Sequence, residues 1–166
     1  MTPQQAFNEY HQAVYRFAYR LTRRPDIAED IAQECFLALV RAPHRYDPVR
    51  GTMKVFLFSM VRNLALKQYR DNREEQISET EEHLAASDPR HAIDIGSAVA
   101  AAVADLPQLQ QEALILFEYE GATLEEIAQI VSADVGTVKS RLHRARERLR
   151  RTLAPYRKVG NEHESI

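Results

Sequence analysis

The stretch from Thr123 to Arg151, TLEEIAQIVSADVGTVKSRLHRARERLRR, leaves little freedom in what the chain can become. Thr123 with Glu126 three positions on is a capping-box pair, in which the hydroxyl takes a free first-turn N–H and the carboxylate reaches back to the cap. A helix therefore starts at Leu124. Leu124, Ile127, Ala128 and Val131 recur along one face at three- and four-residue steps, with Glu125, Glu126 and Gln129 on the other. Ser132, Ala133 and Asp134 break that pattern, and Asp134 supplies an N-cap for a second helix. This helix has an apolar stripe of Val135, Val138, Leu142, Ala145 and Leu149. Away from the stripe project Thr137, Lys139, Ser140, Arg141, His143, Arg144, Arg146 and Arg148, donors suited to phosphates and base edges. Two short helices across a tight turn, the second one basic, match the helix-turn-helix geometry that places a helix in the DNA major groove. The plainer alternative is an amphipathic pair whose arginines form a solvated face. The turn chemistry, the small Gly136 and Ser140 where a groove comes close, and the one-sided charge favour DNA.

A formal net charge of −2 looks wrong for such a role until it is mapped along the chain. Asp71 to Asp94 is acidic, with Glu74, Glu75, Glu79, Glu81, Glu82 and Asp88 opposed by Arg73 and Arg90, whereas Lys139 to Lys158 is almost purely basic. Local charge, not the sum, steers binding. No run approaches the roughly 20 apolar residues of a membrane span, and no signal-peptide pattern opens the chain, so the expected location is the cytoplasm. Cys35 is the only cysteine, which excludes an internal disulfide. The six histidines show no metal-ligand spacing, and the five glycines form no phosphate-cradling loop. The carboxylates Asp26, Glu29, Asp30 and Glu34 lack the partnering Glu-x-x-His elements of a helical metal site. These observations predict neither an enzyme nor a resident metal or cofactor.

The rest of the chain reads at helical period. Phe7, Tyr10, Val14, Phe17, Ala18 and Leu21 predict a helix from about Pro3 to Thr22 with an aromatic core face. Asp26, with Glu29 at the reciprocal position, predicts a cap for a second helix from Ile27 to about Arg41. Its buried side is broad (Ile27, Ile31, Cys35, Leu39), and Asp30, Gln33, Glu34 and Leu37 remain outside. A loop punctuated by Pro43, Asp47, Pro48 and Gly51 leads into a third helix with a cationic side of Lys54, Arg62, Lys67, Arg70 and Arg73. Basic groups interleaved with Tyr46, Phe56, Phe58 and Tyr69 suit single-stranded nucleic acid, where each stacked base contributes roughly 1–3 kcal/mol. Core burial competes for Phe56 and Phe58. From Asp71 the pattern dissolves into an acidic linker. A new helix begins near Ser97, Pro107 takes a first helical position after Leu106, the apolar face of Leu109, Ala113, Leu114, Leu116 and Phe117 continues to Tyr119, and Gly121 closes it.

The whole arrangement resembles the bacterial RNA polymerase sigma factors of the extracytoplasmic-function group. AEDIAQECFLAL, VRNLAL, LPQLQQEALILFEYEGATLEEIA and GTVKSRLHRARERLR carry the likeness, which runs from about Phe7 to Leu153. It implies an all-α chain of two small helical domains joined by a flexible acidic linker: sigma domain 2 at 1–73, linker 74–94, sigma domain 4 at 95–154 and a C-terminal tail at 155–166. It implies that Asp30, Gln33 and Glu34 face core polymerase. By the same likeness the loop from Pro43 to Lys54 and the helix after it take the melted minus-10 strand, with Asn63 at a base-reading position, Arg62 near the backbone, and Tyr46, Phe56 and Lys54 in support. Lys139, Ser140, His143 and Arg144 read the minus-35 duplex, with Thr123 and Arg141 as phosphate or scaffold groups. The implied partners are core RNA polymerase, promoter DNA and, in many relatives, an anti-sigma protein, without membrane insertion. Two departures stand out: the tryptophan usual in the melting region is absent, with Phe56 in its place, and Gln110 and Gln111 stand where arginines commonly follow the Leu-Pro pair.

The two promoter elements lie about 25 base pairs apart, roughly 80 Å. A linker of about 24 residues reaches roughly 80 Å only when extended, against a relaxed span nearer 27 Å. The expected free protein is therefore compact or variable, and polymerase stretches it. A stand-alone helix-turn-helix regulator would explain Thr123 to Arg151 but leave the segment around Asn63 unemployed, and a module that binds only protein would leave both surfaces so.

Overall fold

The computed structural model describes residues 1–78 and 95–156; the remainder of the expected linker and tail lies outside the described residues. Helix α1 (Pro3–Thr22) starts at a capping box that the apolar pattern alone did not reveal. The Thr2 hydroxyl accepts from the Gln5 N–H at 3.1 Å, and the Gln5 side-chain carbonyl oxygen accepts from the Thr2 N–H at 2.8 Å. It ends where Arg23 turns left-handed at φ 58° and returns its N–H to Tyr19. Helix α2 (Pro25–Arg41) begins two residues earlier than expected and without Asp26 as cap. Proline at the first helical position, with its φ preset and no N–H to satisfy, moves the start forward. Asp26 then falls in the first turn and pairs with Arg24 at 3.1 Å.

A 3₁₀ turn (Pro43–Arg45) precedes α3 (Met53–Ser78). Helix α3 continues beyond Asp71 into the stretch read as linker, because no glycine or proline interrupts the sequence between Thr52 and Asp88. Helices α1, α2 and α3 enclose Val14, Phe17, Ile31, Cys35, Leu39, Leu57, Phe58 and Val61. Phe17 and Phe58 stack at its centre, centroids 4.8 Å apart, so Phe58 is a core residue. Phe7 is not: the buried stripe runs through Ala6, Tyr10, Val14 and Phe17, leaving Phe7 44% exposed against His11 and the edge of Phe36.

The second half comprises α4 (Ile95–Ala104), α5 (Gln108–Leu114), a π turn (Ile115–Tyr119), α6 (Leu124–Val131) and α7 (Val135–Thr152). Pro107 is the N-cap of α5, and Leu109 faces outward while Glu112 and Ala113 go inside. The π turn continues the helix expected to reach Tyr119, and Gly121, at φ 65°, provides the left-handed exit. Leu114, Ile115, Leu116, Ile127, Ile130, Val131, Val138, Leu142 and Ala145 form this half's core. Past the expected domain end at 154, Tyr156 still donates its N–H to Leu153. No strand occurs among the described residues.

The halves meet, with α3 against α6. Gln129 of α6 donates to the Arg50 carbonyl at 3.3 Å. Glu112 of α5 receives both Arg62 Nε (3.0 Å) and Arg62 Nη2 (3.1 Å) from α3. Just beyond the π turn, the Glu120 carboxylate takes Arg20 at 2.9 Å and Arg16 at 3.4 Å, while its backbone carbonyl takes Lys54 Nζ at 3.0 Å.

Candidate nucleic-acid interface

The helix-turn-helix is assembled from local chemistry. Thr123 Oγ1 accepts from the Glu126 N–H at 3.1 Å, and Glu126 Oε1 accepts from the Thr123 N–H at 3.0 Å. Ser132 ends α6 in the left-handed region, φ 55°, and Asp134 caps α7 by accepting from the Thr137 N–H at 2.7 Å. That hydrogen bond holds the Asp134 carboxyl below its ordinary value. The stripe Val138, Leu142 and Ala145 is buried against α5 and α6, which turns the opposite face of α7 to solvent.

On that face Lys139, Ser140, His143 and Arg144 are all exposed, as is Thr123 at the start of α6. His143 Nε2 lies 3.4 Å from Glu147 Oε1, one turn along the helix. Arg141 is half-buried, with one terminal nitrogen buried and unpaired, which places it between scaffold and surface. Arg146, a candidate donor by its sequence position, is instead used internally: it pairs with Glu118 at 3.3 Å and covers the Phe117 ring at 5.2 Å.

The second expected surface is only partly brought together. Tyr46 and Phe56 pack with ring centroids 5.5 Å apart, beside a cleft of about 340 Å³ that Arg45, Arg50 and Gln129 help to line. Asn63 is exposed. Arg62 and Lys54, in contrast, turn to the seam between the halves, and Lys54 also lies 5.4 Å over the Phe58 ring. On α2, Asp30, Gln33 and Glu34 are exposed. The same strip continues through Leu37, 45% exposed, and Val40, 61% exposed. Val40 was missed by pattern reading because an apolar residue at the end of an amphipathic helix reads as core.

Among the described residues no cluster of histidine, cysteine, aspartate or glutamate is placed to hold a metal, and no helix is long and apolar enough to cross a membrane. What the geometry defines is a helical nucleic-acid-binding protein with a helix-turn-helix at one end and an aromatic-cationic helix at the other. Residues 6–75 match the family model described as Sigma-70 region 2, and residues 97–149 match that described as Sigma-70, region 4.

The chain is 35% identical over 156 residues to the ECF RNA polymerase sigma factor SigE of Mycolicibacterium smegmatis, covering 89% of this chain and 60% of that relative. It is 34% identical to the ECF sigma factor EcfG of Rhodopseudomonas palustris, over 80% of this chain and 75% of that one. With SigM of Bacillus subtilis the identity is 28%, over 90% and 94%. The sigma factor RpoE of Bartonella quintana, solved in complex with the anti-sigma factor NepR, superposes with a TM-score of 0.75 at 27% identity, covering 91% of this chain and 96% of that one. The chain belongs to the ECF RNA polymerase sigma factors.

Proposed function

We propose that this chain is a promoter-specificity subunit: it binds core RNA polymerase, reads duplex minus-35 DNA with α7 and captures the melted minus-10 strand with the Pro43 to Lys54 loop and α3. The observation that carries the reading is the joint presence of two unlike surfaces, the exposed row Lys139, Ser140, His143 and Arg144 on α7, and the Tyr46–Phe56 pair with exposed Asn63 on the following helix. A duplex-only regulator has use for the first and none for the second. Thr123 and Arg141 support α7 at the backbone, and Arg62, Lys54, Tyr46 and Phe56 support Asn63. Polymerase docks on Asp30, Gln33 and Glu34, with Leu37 and Val40 supplying the apolar contact that charged residues lack.

Domain 2 then spans 1–73 and domain 4 spans 95–154. Polymerase performs the chemistry, so the chain needs no cofactor of its own, and it works in the cytoplasm where polymerase and promoter DNA are. Because RpoE of Bartonella quintana was solved with NepR, an anti-sigma protein is an expected partner here as well. Pull-down of bacterial core polymerase, followed by run-off transcription from a promoter library, tests the reading. Selective initiation supports it, while tight duplex binding without polymerase binding replaces it with a stand-alone helix-turn-helix regulator.

A further inference from the structure

Apart from Gln129, which donates to the Arg50 carbonyl, the side-chain contacts across the seam share one polarity: cations from the first half, acceptors from the second. Arg62 meets Glu112; Arg16 and Arg20 meet Glu120; Lys54 meets the Glu120 carbonyl; Arg23 donates to the Ala100 carbonyl at 3.1 Å. The side chains of Glu112 and Glu120 are 2% and 1% exposed, and the cations bonded to them come from the other half. Two solvent-open clefts run along the seam beside these contacts. One cleft of about 420 Å³ is lined by Leu21, Arg62 and Tyr69 from the first half and Leu106, Gln108 and Glu112 from the second. A second, of about 360 Å³, is lined by Tyr19 and Arg20 from the first half and Ala100, Val103 and Tyr119 from the second.

From this we propose that Glu112 and Glu120 form an intramolecular latch that holds the chain closed and withholds Arg62 and Lys54 from the phosphates of single-stranded DNA. The proposal rests on reading those two residues as backbone contacts for the melted strand. In the closed form α7 stays open to a duplex, whereas Arg62 spends both of its bonded nitrogens on Glu112. A strand that takes Arg62 therefore displaces Glu112. The exchange is nearly balanced, because a buried ion pair regains hydration when it separates and yields little net stability. Removing one partner alone is different, since it leaves the other charge buried without a counterion. The latch is thus tight enough to define the closed state and weak enough for a polyanion to open.

The test uses the full chain with dyes on Gln12→Cys and Arg151→Cys, two exposed sites on α1 and α7; Cys35 is buried and stays unlabelled. In Glu112→Gln/Glu120→Gln the ratio of open to closed molecules should rise about 100-fold, read as lost energy transfer with unchanged helical circular dichroism. The affinity for a mixed-sequence single-stranded 20-mer should rise about tenfold, a gain that Arg62→Ala abolishes. Should the carboxylate variant misfold, a reducible bismaleimide between Tyr19→Cys and Ala100→Cys, which line the second cleft from the two halves, holds the native latch shut. The locked chain should bind the 20-mer weakly and recover on reduction. Unchanged energy transfer in a folded carboxylate variant, or equal binding before and after reduction, would overturn the latch. Polymerase pull-down is read separately: a chain that opens as expected but ignores polymerase keeps the latch and sinks the sigma reading, and the converse sinks the latch alone.

Discussion

Thr123 is assigned two duties, capping α6 and touching a DNA phosphate, and one substitution separates them. Its oxygen already accepts the Glu126 N–H at 3.1 Å, while its hydroxyl proton takes no part in the cap and is available to a phosphate. Aspartate caps a helix at least as well as threonine, so Thr123→Asp should keep the melting temperature within about 1 °C of wild type. Thr123→Ala removes the cap at about 1 kcal/mol, or about 2–4 °C in a chain of this length. On DNA the order reverses. A carboxylate about 4 Å from a phosphate is repelled by about 1 kcal/mol in bulk water and about 4 kcal/mol at the effective dielectric of a protein surface. Thr123→Asp should therefore weaken duplex minus-35 binding by the assembled polymerase at least about fivefold, and Thr123→Ser should match wild type in both assays. Thermal melting and fluorescence anisotropy on the selected promoter read the two quantities. Wild-type DNA binding by Thr123→Asp would show that Thr123 faces no phosphate, and a melting loss equal to that of Thr123→Ala would refute the capping argument.

Leu142 is 2% exposed on the buried face of α7, so Leu142→Ala should destabilise by about 2–5 kcal/mol in urea unfolding and weaken minus-35 binding only indirectly. Lys139→Ala and Arg144→Ala should leave the urea midpoint in place and reduce discrimination between promoters by about 5- to 150-fold in competitive run-off transcription, corresponding to about 1–3 kcal/mol. A double-mutant cycle on Phe17 and Phe58, stacked at 4.8 Å, should return a coupling of about 0.5–1.5 kcal/mol in chemical denaturation. Burial pushes the Cys35 thiol from 9.0 up to about 12. The folded state therefore favours the neutral thiol, and this contribution is complete below about pH 9 and declines by about 1.4 kcal/mol per pH unit as the medium rises toward 12. Disulfide reagents should modify Cys35 at pH 8 only as fast as the chain unfolds.

Helix periods and caps were legible in the sequence wherever the deciding residues were local. The Thr123–Glu126 box and the Asp134 cap stand as their spacing implies. The start of α2 was misplaced because Pro25 and Asp26 each signal a first turn, and proline's fixed torsion took precedence. Phe7 was misjudged because its hydrophobicity outweighed a one-residue offset from the stripe through Ala6. The seam was illegible for a different reason: Arg62 and Glu112 are fifty positions apart, and nothing local to either records the other. Of the expected DNA-binding residues, those on α7 could be placed because one helix fixes their common face. Those around Asn63 depend on how a loop and two halves come together, which spacing does not encode.

The π turn at Ile115–Tyr119 makes residue count matter more than residue identity there. Glu120 returns its N–H to Ile115 and Ala122 returns its N–H to Leu116, so the backbone carries one residue more than an α-helical turn would hold. That surplus lets Phe117 and Glu118 address Arg146 while Tyr119 and Glu120 address Arg20. Excising a single residue from the turn would restore regular α winding and swing everything after it by about 100°, the angle of one helical step. The carboxylate of Glu120 and the entry to α6 would then leave α1 together. Length in this turn is conformational information, and a gap here would act as a rotation rather than a shortening.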